Sequence, residues 1–285
     1  MAWSRHDNAL EHLARFGYGA RGLVYCVVGA LALLAALGQG GAAGDSKGAL
    51  RSLMGSPFGA VLVGAIALGL AGFALWRLVE GTIDADRRGR SAKALVVRGA
   101  HLVSAATYAA LAVSAGQLAF GIGRAAAGGD GVQDWTAWLL GQPLGPWLVG
   151  LVGLGVAGAG IGYLAKAWRG DVAARLSLPG GAEAWVKPLG RFGYAARGIV
   201  FLLIAGFVLA AAWTQASSEA HGLSGAFAAL RAQPFGRVLL GLVAAGHLAF
   251  GAFGMIQARY RHIDAPDIDR ADDAVSKLIR QTAGS

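Results

Sequence analysis

Sulfur is nearly absent from this chain of 285 residues: its single cysteine, Cys26, can close no internal disulfide and build no thiolate metal cage. Charge is scarce as well. Only 14% of the residues are Asp, Glu, Lys or Arg, and the acidic ones stand outside the apolar runs, with Glu80 marking where the second run closes. No acidic group is therefore expected inside a span to couple the movement of an ion. The signatures of most enzyme chemistry are missing too. The Gly-x-Gly runs have no strand before them, which argues against a dinucleotide or phosphate loop, and no metal box or nucleophile triad is present. The expectation is a protein that is not an enzyme, with no catalytic residue, no metal and no cofactor.

What fills the chain instead is apolar: 55% of the residues are hydrophobic, and 46 are glycine, far above the usual share of roughly 7%. Much of that glycine lies inside the apolar runs, where it would weaken a soluble helix but lets helices in lipid come close. The formal charge of +9 does not point to nucleic acid, because the basic residues sit in short loops beside the runs rather than on one solvated face. The N-terminal stretch has the look of a secretory signal, with an apolar core from Leu23 to Leu37 and small residues near Ala42. Its recurrence in mid-chain argues that it is a retained span.

That recurrence organises the rest. Arg15 to Gly22, Arg-Phe-Gly-Tyr-Gly-Ala-Arg-Gly, returns almost letter for letter as Arg191 to Gly198, each at the head of an apolar run. A reduced echo, Arg98-Gly99, heads a third run between them and stands in for Arg21-Gly22, without the first arginine and the tyrosine. Six runs are long enough to cross a hydrocarbon core of ~30 Å. They extend from about Phe16 to Leu37, Pro57 to Glu80, Ala94 to Gly121, Pro143 to Arg169, Phe192 to Trp213 and Pro234 to Arg261. Pro57, Pro143 and Pro234 suit the first turn of the even-numbered spans, where a missing N–H costs nothing.

The fold class predicted is all-α and integral to a membrane, with six transmembrane helices arranged as three tandem helix hairpins in a pseudo-threefold bundle. The whole chain is one membrane domain with repeat units 15–81, 92–170 and 191–261, then a polar cytoplasmic tail, 262–285, in which Ile268, Ala271, Val275 and Leu278 have helical spacing. Trp3 to Ala14 reads as a helix lying at the interface. A Gly-rich loop, Gly38 to Gly44, follows the first span, and Trp135 and Trp138 belong to a loop before the fourth. Arginine and lysine set the orientation: Arg87, Arg88, Arg90, Lys93, Arg175, Lys187, Arg191, Arg259, Arg261 and Arg270 crowd one side, against Lys47, Arg51, Arg124 and Arg231 on the other. Both termini are expected in the cytoplasm.

The paired Arg-Phe-Gly-Tyr-x-Ala-Arg-Gly boxes, the Pro-Phe-Gly or Pro-Leu-Gly starts and the three two-helix units resemble a bacterial membrane family catalogued as domain of unknown function 1206. The resemblance runs from about Arg15 to Tyr260. It implies a six-helix protein of the bacterial inner membrane and brings no chemistry.

Two sets of residues are candidates for function. On the pseudo-axis, Arg21, Arg98 and Arg197 are expected at similar depth, each at the head of a span; with Arg15, Arg191, Tyr18 and Tyr194 they would form a ring for an anion or a lipid headgroup. The same arginines could instead snorkel to the headgroups or bond the last carbonyls of neighbouring helices. The second set is polar and unrepeated: His247 midway along the sixth span, and His101, Ser104, Thr107, Tyr108, Ser114 and Gln117 on the third. They could line a path, or bond to neighbouring helices and their own backbone. The different depths of His101 and His247 count against haem between them. Gly158-x-x-x-Gly162 in the fourth span reads as a close helix contact.

Two readings result. One is an accessory membrane subunit that binds anionic lipid of the cytoplasmic leaflet, a protein partner or a second copy of itself; the other is a small transporter or channel with a polar cavity on the pseudo-axis. Nucleic acid is not an expected partner.

Overall fold

The computed structural model describes residues 5–39, 46–82, 91–122, 131–174 and 176–261. These residues hold nine α-helices: α1 Arg5–Leu37, α2 Ser46–Met54, α3 Gly59–Thr82, α4 Ala92–Phe120, α5 Gly131–Leu140, α6 Gly145–Arg169, α7 Glu183–Thr214, α8 Leu223–Arg231 and α9 Gly236–Tyr260. Six of them, α1, α3, α4, α6, α7 and α9, are long and apolar enough to cross a membrane. The expectation of three tandem helix pairs holds, and the chain is a multi-pass membrane protein. A short helix, α2, α5 or α8, joins the two spans of each pair. Trp135 and Trp138 therefore lie on a helix rather than in a loop. The expected interfacial leader is, from Arg5, the start of one continuous 33-residue helix, about 50 Å long at a rise of ~1.5 Å per residue. Likewise α7 begins at Glu183, ahead of the apolar run, where a carboxylate suits the positive helix end. The tail at 262–285, Trp3 and part of the loop at 38–44 lie outside the described residues.

We call the end of the bundle where α1, α4 and α7 begin the near end, and the opposite one the far end. At the far end the three units use the same turn. Gly59, Gly145 and Gly236 donate to the carbonyls of Ser56, Gln142 and Gln233 at 2.9, 2.9 and 2.8 Å. The residue before each glycine, Phe58, Leu144 or Phe235, has a φ of 64°, 62° or 59°. This is a proline-led type II turn, so Pro57, Pro143 and Pro234 precede the helices instead of occupying their first turn, a correction to the reading from sequence. Glycine follows because a Cβ at Gly59 would sit 2.5 Å from the Leu53 carbonyl oxygen. At Gly145 and Gly236 it would strike the carbonyls of Leu140 and Arg231.

Between units, α3 packs along α4, α6 along α7 and α9 along α1, which closes a threefold cycle of seams. Within units, α1 packs on α3 and α7 on α9, but α4 and α6 do not pack along one another. The six spans thus form a threefold ring with one open seam, in the middle unit.

Side-chain size accounts for the opening. Aligned on the capping arginines described below and on the prolines, Gly17 meets Phe73 in unit one and Gly193 meets Phe250 in unit three, so closely that a Cβ would lie 2.7 and 2.6 Å from the backbone nitrogens of those phenylalanines. One turn on, Gly69 meets the Cβ of Ala20, and Gly246 that of Ala196. The middle unit has Ala100 opposite Ala159 and Val103 opposite Gly155 at these places. Both positions on α4 carry a Cβ where such a seam needs none or a small one, and the ring that would fill the space is gone from α6. A Cβ at Gly155, Gly158 or Gly162 would accordingly meet nothing from another helix within 4 Å, so the expected close contact at Gly158-x-x-x-Gly162 is absent.

Candidate functional site

Arg15, Arg98 and Arg191 do one job, at the near end. Arg98 donates from Nε to the carbonyl of Gly81 at 2.9 Å and from Nη2 to that of Thr82 at 2.7 Å. Arg191 donates from Nε to the carbonyl of Ala167 at 2.8 Å, and Arg15 from Nη1 to those of Ala258 and Arg259. Each arginine caps the last turn of the helix from the preceding unit, where unpaired carbonyls and the negative end of the dipole await a cation. Arg98 is thus the counterpart of Arg15 and Arg191. Counting on from it, His101 stands for Tyr18 and Tyr194, Ser104 for Arg21 and Arg197, and Tyr108 for Tyr25 and Phe201.

The expected ring of Arg21, Arg98 and Arg197 is therefore not formed. Only Arg21 and Arg197 reach the axis, 6% and 8% exposed, and the third corner is a serine. Their guanidinium groups alternate with aromatic rings. Arg77 and Arg21 lie 4.9 and 4.8 Å from the Phe73 ring, and Arg21 and Arg197 lie 5.3 and 4.8 Å from the Phe250 ring. Arg197 is further enclosed by Tyr25, Tyr163 and Phe201 at 4.6, 5.1 and 5.0 Å. Ring faces attract cations by about 0.5–2 kcal/mol each, but they accept no conventional hydrogen bond. Arg21 also donates to Oε1 of Gln257 at 2.9 Å. The Tyr25 hydroxyl is a hydrogen-bond partner of Arg197, but Nε and Nη1 of its guanidinium are buried without one.

Nearer the end, Glu80 is buried, 2% exposed, in the last turns of α3. It accepts from Arg77 at 2.8 Å and from Arg261 at 3.2 Å and meets Nδ1 of His101 at 3.0 Å. An acidic residue does lie inside a span, contrary to expectation, and three cationic or polar side chains surround it. The residues in the same place in the other two units are Lys166, which donates to the Tyr194 hydroxyl at 3.4 Å, and Gln257. One repeated position thus carries an acid, a base and an amide. Lys166, Gln257 and Arg261, with Arg169 and Asp171, line a cavity of 410 Å³ at the near end.

The net result is positive. Arg21, Arg77, Lys166, Arg197 and Arg261 gather around the axis, and among the described residues Glu80 is the one buried carboxylate that answers them. Like charges this close in a medium of low dielectric call for anions. The two helices that flank the open seam each bring a ring to this cluster: Tyr108 of α4 lies with its hydroxyl 3.4 Å from that of Tyr25, and Tyr163 of α6 faces Arg197.

The polar path expected on the third span does not form. Thr107 and Ser114 donate to carbonyls of their own helix, Val103 and Ala110, both at 2.9 Å, and Gln117 is exposed. His101 joins Glu80, Ser104 is half-buried and Tyr108 joins the axis, so the set divides. His247, 2% exposed, has Nδ1 at 2.9 Å from the carbonyl of Val243 and its ring 6.2 Å from that of Tyr25, at the inner edge of the axial cluster. It packs edge-on against Phe227 of α8, 5.3 Å between ring centres, as part of the far-end core. Glu80, Arg77, Lys166, Gln257 and Tyr163 escaped the reading from sequence. The signal for three of them was available, since Glu80, Lys166 and Gln257 stand equally far beyond Pro57, Pro143 and Pro234.

Three segments, 16–84, 100–170 and 192–261, match the family described as Domain of Unknown Function (DUF1206). Each segment takes in the apolar part of one helix pair and starts one or two residues past a capping arginine. The chain is also similar to a protein of Bacillus subtilis (strain 168) described as Uncharacterized protein YxxB, 33% identical over 257 residues, 89% of this chain and 92% of the relative. No solved structure matches the chain.

Proposed function

We propose that this chain, which belongs to the Domain of Unknown Function (DUF1206) family, is a non-enzymatic membrane protein that binds anionic lipid with the positive centre of its near end. The observation that carries the reading is Arg197. A buried guanidinium with two nitrogens unpaired costs free energy unless something accepts from them, and charge-assisted bonds to a phosphate or carboxylate are the strongest way to do so. The arginines Arg21, Arg77 and Arg261 and Lys166 add attraction, while Glu80 keeps the cluster from being wholly cationic. Basic pockets between spans on the cytoplasmic side are a recognised setting for such headgroups.

The same reading places the protein in the bacterial cytoplasmic membrane with both termini inside. It is supported by the crowding of arginine and lysine in the near-end loops and the tail. A reporter fused after Ser285 is then active in the cytoplasm; activity on the other side would reverse the orientation.

The lipid reading is tested by extracting the full chain from its native membrane in mild detergent and weighing the lipids that stay bound. Enrichment of acidic over zwitterionic lipid relative to the bulk membrane is expected, and its loss in Arg197→Gln. Bulk proportions in the wild-type protein would overturn it. Proteoliposomes that pass a solute through the axis would favour the transporter.

A further inference from the structure

The open seam between α4 and α6 has its own chemistry. Val152, Gly155, Ala159 and Gly162 are exposed on α6 and, at about 100° per residue, share a face with Lys166, whose side chain turns to the axis at Tyr194. Where α3 and α9 carry Phe73 with Trp76 and Phe250 with Phe253, α6 carries Ala159 with Gly162. Two large rings are thus missing from one unit of three, at the depth of the arginine and tyrosine cluster. The absence leaves an apolar, side-facing slot; behind the rings of Tyr108 and Tyr163 on its two walls lie the Tyr25 hydroxyl and the buried, unpaired nitrogens of Arg197, which a ligand would reach by displacing those rings.

Resting on the lipid reading above, we infer that the slot between α4 and α6 is a lateral portal for a bilayer lipid: its acyl chain lies along the small-residue face of α6 and its oxyanion head is held by Arg197. The slot fits a chain because it is apolar and the residues along α6 are small. It fits an anionic head because two donors of a buried guanidinium are vacant and phenolic hydroxyls flank them. Access from the side suits a molecule already dissolved in the membrane, which need not leave lipid to bind.

The test uses the full chain in nanodiscs of phosphatidylcholine, titrated with phosphatidylglycerol, the bound lipid being counted by native mass spectrometry. Arg197→Gln removes the head contact, and affinity is expected to fall by about tenfold to a hundredfold, the loss for charge-assisted hydrogen bonds. Ala159→Phe restores the ring of the other units and Gly155→Leu adds a side chain where nothing stands within 4 Å, so both fill the slot at exposed positions that fold without strain. Each is expected to lower affinity about tenfold by displacing the chain, with Arg197 intact. If both filled variants bind as the wild type does while Arg197→Gln fails, the portal is refuted and the anion site stands. If Arg197→Gln binds unchanged, portal and anion site fall together. Inorganic phosphate that displaces phosphatidylglycerol at equal concentration would show that the site takes the free ion and overturn the lipid assignment.

Discussion

Replacing Gly193 by alanine should destabilise the bundle, and the same change at Gly158 should not. A Cβ on residue 193 would stand 2.6 Å from the Phe250 nitrogen and 2.7 Å from its Cα. Non-bonded carbon atoms prefer ~3.5–4.0 Å, so α7 and α9 would have to part by about 1 Å. Both sides of the clash are helix backbone, which cannot swing aside as a side-chain tip can. Overpacking of this kind costs about 1–3 kcal/mol, and the intrinsic gain from Gly to Ala within a helix returns up to about 1 kcal/mol. A net loss of about 1–2 kcal/mol follows for Gly193→Ala. At Gly158 nothing lies within 4 Å, so only the gain remains, a change of up to about 1 kcal/mol in the opposite sense. The assay is reversible unfolding in mixed micelles, titrated with dodecyl sulfate and followed by helicity. If Gly158→Ala proved as costly as Gly193→Ala, the middle unit would be closed like its neighbours and the account of the seam would fail.

Three other outcomes are expected. Glu80→Gln leaves Arg77 and Arg261 without their shared carboxylate in a buried site and should cost about 3–5 kcal/mol in the same titration; a change below ~1 kcal/mol would mean that water reaches these groups. Arg98→Ala removes the cap on Gly81 and Thr82 and should cost about 1–2 kcal/mol while leaving phosphatidylglycerol binding at the wild-type level, since Arg98 stands off the axis; lost binding would restore it to the anion site. Phe235 holds a left-handed backbone although its ring is 84% exposed and gains little from the protein, so Phe235→Asn should stabilise by about 1 kcal/mol, and a clear loss would show that the ring anchors the fold.

The helices were legible because their signal is coarse: long apolar runs, three prolines and a twice-repeated box leave few alternatives to three hairpins. Registration was harder. Arg98-Gly99 looks like Arg21-Gly22 when residues are matched by pair identity, yet Arg98 pairs in space as Arg15 and Arg191 do, because a cap is defined by the helix end it meets rather than by the residue that follows it. That one shift moved His101 and Ser104 to their true places. The cluster around Glu80 was hidden for a related reason. A carboxylate at the edge of an apolar run reads as solvated, and its burial depends on Arg261, far along the chain, folding back to it. The open seam could have been read from Ala159 and Gly162 standing in for paired aromatic residues, but only after the units were in register. His247 illustrates the opposite limit: its depth was readable, whereas its bond to Val243 and its packing under Phe227 belong to tertiary structure.

In the lipid reading proposed above, the threefold ring of spans is open in one unit and an acidic lipid meets Arg197 there. The decisive experiment is an electron-microscopy structure of the full chain in nanodiscs of its native lipids. Lipid density between α4 and α6, with an oxyanion within hydrogen-bonding distance of the Arg197 guanidinium, is the predicted result; α4 packed against α6 with Arg197 bonded to protein alone would contradict it.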